Sequence, residues 1–148
     1  MNPDMPSGFI EKFVASTVQC DDLLDSIKGK GAELIDVFAA DPQVKNSVLD
    51  NFRSKGYEIA SAAPGVNSAT AGGVNKGAAL LGMCERLGIT PDEAMAFGDA
   101  ENDAPMLRIA GLSFAMANGT EPCKLAAKAI APSNADDGVA QMINKYAF

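Results

Sequence analysis

The chain has 148 residues, 47% hydrophobic and 21% charged, with 19 Asp and Glu against 12 Lys and Arg for a formal net charge of −7. That is enough length and apolar content for one folded domain and excludes a disordered chain. The acidic balance and scattered basic residues argue against a nucleic-acid binder, and the lack of an apolar run of ~20 residues excludes a membrane-spanning helix.

The first residues, Met1 to Pro6, carry no basic patch before an apolar stretch, so no secretory signal is expected. Three cysteines (Cys20, Cys84, Cys123) form no CxxC and make an odd count, which fits a reducing compartment and a cytoplasmic location. The chain has no histidine. Ser-His and Cys-His nucleophile pairs, HExxH zinc sites and imidazole bases are thereby excluded. Chemistry must come from carboxylates, Lys, Asn and hydroxyls.

In chain order, residues 9–28 read as helix, in one or two pieces: Phe9, Ile10, Phe13, Val14 and then Leu23, Leu24, Ile27 recur at helical spacing, with Gly29 and Gly31 as terminators. Leu34–Phe38 is a strand candidate. Asp41-Pro42 starts a helix, with a side-chain cap and then a proline where no amide bond is lost. Val44, Val48, Leu49 and Phe52 share its predicted inner face, and Gly56 ends it. Tyr57–Ser61 is a second strand. Ile59 to Asn75 is uncharged and rich in small residues, reading as a weak strand plus linker. Composition puts a domain boundary at about 71–75.

Residues 76–87 read as helix with Ala79, Leu80, Met83, Cys84 and Leu87 inward and Gly88 as terminator. Thr90-x-x-Glu93 has the capping-box pattern. Strands at 94–97, 112–116 and 129–131 alternate with helices at 102–110, 120–128 and 137–146, the last with Val139, Met142, Ile143 and Tyr146 inward. This βαβαβα order implies a parallel sheet with helices on its faces.

The sharpest local feature is Gly98-Asp99-Ala100-Glu101-Asn102-Asp103, three carboxylates and a carboxamide directly after an apolar strand. Ligands bind at the carboxyl ends of strands in open α/β sheets. Oxygen donors on such a turn suit Mg²⁺, which takes one or two carboxylates plus substrate phosphate and keeps several waters. The same residues also suit a plain helix cap and a solvated turn. An EF-hand is excluded, because the sixth and twelfth positions from Asp99 are Ala104 and Ala110. Asn75-Lys76-Gly77 places a lysine at a helix start, where the dipole favours anions. An anion there would offset that cost, and an ordinary surface lysine is the alternative. Neither GxxxxGK[ST] nor GxGxxG occurs.

Lys76–Leu80, Leu87–Ile89, Ala96–Asp103, Met106-Leu107, Ala110-Gly111, Ala115–Asn118 and Asp137–Val139 occur in this order and at close spacing. Together they resemble the C-terminal half of a haloacid dehalogenase-like phosphatase of the Cof type, over roughly residues 71–148. Residues 30–70 resemble the second half of that family's α/β cap domain. The resemblance implies an incomplete Rossmann-like parallel sheet at 73–148 and a partial cap domain at 1–72. It implies a Mg²⁺-dependent phosphomonoester hydrolase acting through an aspartyl-phosphate on phosphorylated small molecules of the sugar-phosphate type. By position, Lys76 matches the phosphate-holding lysine, Asn102 the phosphate-contacting asparagine, and Asp99 the metal ligand. Asp103 matches the second acidic residue, which supports metal and lysine.

The chain departs from the family pattern in two motifs. It has no Asp-x-Asp, so the nucleophile and the acid/base aspartate are missing, as is a Thr-Gly-Arg-like motif. Three readings follow: a C-terminal portion inactive alone, one half of a split phosphatase, or a non-catalytic phosphate- or Mg²⁺-binding module. Mg²⁺ binding by this chain alone is expected to be weak. The strand at 94–97 is expected to lack the neighbour it has in the family, which predicts a homo-oligomer or a complementing N-terminal half.

Overall fold

The computed structural model describes residues 15–18, 20–37, 39–63 and 66–148. Residues 1–32 and 33–148 form two compact units. In the first, the predicted helix is present as Ala15-Ser16 and as α1, Leu23–Ser26. The expected apolar positions Phe9, Ile10, Phe13 and Val14 lie outside the described residues. Gly29 and Gly31 follow α1 at φ +77° and +73°, conformations only glycine takes readily.

The second unit holds two three-stranded sheets. The first comprises β1 (Leu34–Val37), β2 (Glu58–Ala63) and β3 (Val66–Thr70), in spatial order β1-β3-β2 and antiparallel throughout. Helix α2 (Pro42–Ser54) joins β1 to β2. It starts as expected: the Asp41 carboxylate accepts the Gln43 N–H at 2.8 Å and Pro42 takes the first turn. Leu49 is buried, but Val44 and Val48 are exposed, contrary to the predicted face. A small sheet offers room for only one narrow stripe of the helix.

The stretch read as weak strand plus linker contains a full strand, β3, the central one of its sheet. Ser68 pairs with Asp36 on one side and Ala60 on the other. Its sequence, Val-Asn-Ser-Ala-Thr, has little intrinsic strand signal; two neighbouring ladders supply what propensity does not.

The second sheet is β4 (Met95–Gly98), β5 (Leu112–Met116) and β6 (Ala129–Ala131), parallel and in chain order. Helices α3 (Lys76–Leu87), α4 (Ala104–Ile109), α5 (Glu121–Ala126) and α6 (Gly138–Tyr146) accompany it. The predicted helix at 102–110 divides into a 3₁₀ turn, Glu101–Asp103, and α4, with Pro105 in α4's first turn. One core cluster joins Ala96, Leu107, Ala110, Ala115 and Cys123; the other joins Phe114, Met116 and Ala131, with Phe97 stacked on Phe114 at 5.3 Å. Cys84 is buried and Leu80 packs against the first cluster, while Met83 and Leu87 are exposed. Met142 packs against the second cluster, but Val139, Ile143 and Tyr146 are partly exposed. Among the described residues, no helix is long and apolar enough to cross a membrane.

Candidate functional site

The acidic turn begins where β4 ends. The sequence needs glycine at 98 for a packing reason: a Cβ there would fall 2.9 Å from Asp103 Cγ and 3.0 Å from its Oδ2. Gly98 therefore lets the Asp103 carboxylate fold back over the strand end. That carboxylate is buried, and its Oδ2 accepts the backbone N–H groups of Asp99 at 2.9 Å and Ala100 at 3.1 Å. Its Oδ1 accepts the Lys76 ammonium, which is half exposed.

Lys76 reaches this position because α3 starts beside α4. Asn75 caps α3, its Oδ1 accepting the Ala78 N–H at 3.0 Å. Gly77 is buried against Pro105, where a Cβ would come within 3.0 Å of three Pro105 atoms. Any larger residue would push the two helix starts apart and draw Lys76 away from Asp103.

Burial pushes the Asp103 carboxyl up, but the Lys76 hydrogen bond, the Ala100 and Asp99 amides and the Lys76 charge outweigh it. The group is held below the ordinary aspartate value and stays ionised. Cys123 lies under the turn, fully buried; burial first, then the negative charges of Asp103 and Asp99, push its thiol up. It is a core residue and not a nucleophile.

Of the four residues singled out from the sequence, Lys76 and Asp103 are in direct contact, and Asp99 joins them through its backbone N–H. The Asp99 side chain is exposed, and its carbonyl accepts the Thr120 N–H at 2.8 Å. Asn102 faces a cleft of about 670 Å³ between the antiparallel sheet and the α3–α4 side of the molecule. Lys76, Asp36, Glu58 and Arg108 line the same cleft, whereas Asp99 and Asp103 do not. The Asn102 Oδ1 atom is buried without a hydrogen-bond partner among the described residues. A buried amide oxygen without a donor costs about 1–3 kcal/mol. A ligand hydroxyl or ammonium would satisfy it.

Sequence reasoning missed Glu58. Its Oε1 accepts the Gly73 N–H at 3.0 Å and its Oε2 accepts Asn75 Nδ2–H at 2.9 Å. A lone glutamate opening a strand carries no motif. The one available signal was an acidic residue just before an otherwise uncharged stretch that ends in Asn-Lys.

Among the described residues, no group of three His, Cys, Asp or Glu side chains could hold a metal. The donor set fits a hydrated Mg²⁺ in part. Asp99 offers an exposed carboxylate, and a magnesium ion that keeps its waters needs one or two such ligands plus phosphate oxygens. Asp103 already holds three donors.

A family model described as haloacid dehalogenase-like hydrolase matches residues 9–143. The chain is 39% identical over 107 residues to the 5-amino-6-(5-phospho-D-ribitylamino)uracil phosphatase YcsE of Bacillus subtilis, covering 72% of this chain and 43% of that protein. It is 49% identical over 72 residues to the phosphoglycolate phosphatase of Methanopyrus kandleri, covering 49% of this chain and 31% of that one. The solved structure of the subclass IIB sugar phosphatase BT4131 shares the fold, with a TM-score of 0.78 at 24% identity over 94% of this chain and 52% of that one. The chain thus spans less than half the length of these two curated relatives. By the family match across most of its length, it belongs to the haloacid dehalogenase-like hydrolases.

Proposed function

We propose that the chain carries the phosphate- and Mg²⁺-binding portion of a phosphomonoester hydrolase, with residues up to 72 as part of a cap and 73–148 as part of the hydrolase core. One observation carries this reading. A lysine at a helix start is held on an aspartate that is itself fixed by two amides, at the carboxyl end of a parallel strand.

Phosphoryl transfer is catalysed mainly by positioning and charge neutralisation. The Lys76 ammonium, half exposed at the cleft, binds phosphate oxygens while Asp103 keeps it aimed. The Asn102 carboxamide contacts the phosphate or the atoms beside it. Asp99, with Asp103 behind it, would hold Mg²⁺, which when bound adds positive charge against the phosphate. The family resemblance assigns the reaction to an aspartyl nucleophile two residues before an acid/base aspartate. None of the 148 residues forms that pair, so this chain alone binds without turning over.

A second copy of the same chain cannot supply the missing pair, because it has no Asp-x-Asp either. Completion requires a polypeptide segment that has one. Among the described residues β4 pairs only with β5, which leaves a ladder for such a segment. The relatives named above act on phosphorylated small molecules, and that is the substrate class proposed here.

The test is hydrolysis of an aryl phosphate with Mg²⁺. The chain alone is expected to be inert, with Mg²⁺ binding in the millimolar range or weaker. Turnover by the chain alone that disappears in Asp99→Ala would overturn the proposed division of labour.

A further inference from the structure

Segment 71–75 crosses from the antiparallel sheet to α3, and it is held in a defined turn. The Val74 N–H donates to the Ala71 carbonyl at 3.0 Å, and Gly73 has φ +78°, the left-handed residue a type II turn requires. The Thr70 hydroxyl donates to the Val74 carbonyl at 2.7 Å. Glu58, opposite Thr70 in the ladder, reaches the same segment with both carboxylate oxygens: Oε1 to Gly73 and Oε2 to Asn75.

The Asn75 carboxamide is thereby bonded at both ends. Its Nδ2 donates to Glu58 and its Oδ1 accepts from Ala78, the third residue of α3. The next residue after Asn75 is Lys76, whose ammonium meets Asp103, whose other oxygen holds Asp99 and Ala100. A continuous series of bonds joins the first strand residue of β2 to the acidic turn.

A turn clip alone would not need a charge. Glu58 is partly buried, and no cation among the described residues lies within 4.0 Å of it. Such a carboxylate is costly unless its hydrogen bonds are made. Two acceptors on one side chain are what the two donors, Gly73 N–H and Asn75 Nδ2–H, require. A glutamine in its place would turn its NH₂ toward one of them.

We propose that Glu58 is a positioning residue for Lys76: by fixing the Asn75 carboxamide it sets the start of α3, and so where the ammonium meets Asp103. The importance of that placement for phosphate rests on the phosphatase reading above; the clamp itself does not.

The experiment is an exchange of donor and acceptor. Glu58→Gln removes one acceptor. Asn75→Asp keeps the cap oxygen for Ala78 but sets a carboxylate against Glu58. In the doubly substituted chain the roles are reversed. The glutamine NH₂ donates to the aspartate, and the glutamine oxygen keeps the Gly73 N–H. Amide hydrogen exchange at Gly73 and Ala78, amide resonances of Asp99 and Ala100, and inorganic phosphate binding with Mg²⁺ are measured in all four proteins.

Each single change is expected to speed exchange at Gly73 and Ala78 about fivefold to tenfold, on the order of one net hydrogen bond, and to shift the Asp99 and Ala100 resonances. The double change is expected to restore both to within about twofold of the parent, by the same reasoning. Glu58→Asp, which keeps the charge but shortens the reach, is expected to behave as Glu58→Gln. The proposal is overturned if Glu58→Gln leaves Asp99 and Ala100 unmoved, or if the double change is no better than the worse single one. Failure of the parent protein to bind phosphate would sink the phosphatase reading, and the amide measurements would still decide the clamp.

Discussion

The two sheets of the larger unit solve different problems. The parallel sheet, β4-β5-β6, owns two packed clusters, with Leu107, Ala110, Ala115 and Cys123 fully excluded from solvent. Among the described residues, the antiparallel sheet and its helix bury fewer: Val37, Leu49 and Ala69. The acidic turn sits at the end of the well-packed sheet, and the cleft opens toward the thinly packed one. Precision is needed where charge is held, and the core lies there. The other sheet contributes one wall of the cleft and, through Glu58, a hold on the start of α3.

The contrast can be broken first in the core. Leu107→Ala is expected to cost about 2–5 kcal/mol, because its side chain fills the middle of a cluster whose buried members, Ala96, Ala110, Ala115 and Cys123, are too small to close the void. Denaturant unfolding measures it, and a cost near zero would mean the parallel sheet is not the stable half. Gly98→Ala comes next, at about 1–3 kcal/mol, since the new methyl must displace the Asp103 carboxyl. The same denaturant series reads it, along with loss of the Asp99 and Ala100 amide shifts.

Asp103→Asn is expected to cost about 1–3 kcal/mol near neutral pH, by weakening bonds to one ammonium and two amides. The pH dependence follows in sign. Asp103 titrates lower in the folded chain than in the unfolded one, where the ordinary value is ~3.9. Its stabilisation is therefore complete above that value and is lost as pH falls below it toward the folded-state value. Acid unfolding should flatten in Asp103→Asn over that range. Glu93, lowered by the Thr90 backbone and hydroxyl bonds, acts in the same direction and remains in the variant, so some slope persists.

The smallest effect sharpens the contrast from the other side. Val44→Ala, on the exposed face of α2, should change stability by less than ~0.5 kcal/mol. A larger loss would show that the predicted inner face of α2 is covered after all.

The sequence made the parallel sheet legible because each of its strands is a short apolar run closed by Gly, Pro, Asp or Asn. The acidic turn was legible because Gly98-Asp99 directly follows such a run. It could not show that one Asp103 oxygen serves two amides while the other serves Lys76, since that depends on Gly77 and Pro105 packing two distant helix starts together. β3 was hidden because Asn67, Ser68 and Thr70 are strand residues only when flanked on both sides. The faces of α2, α3 and α6 were read too wide. Apolar periodicity marks what a helix can bury, and the neighbours decide how much of it is buried.

The central claim is that the lysine of α3 and the turn after β4 form one pocket for a phosphate and a magnesium ion. It is tested most directly by titrating the protein with inorganic phosphate in the presence of Mg²⁺ while following amide resonances. The account predicts concerted shifts at Lys76, Asp99, Ala100 and Asn102, abolished in Lys76→Met. Shifts confined to one of the two segments, or unchanged in Lys76→Met, would contradict it.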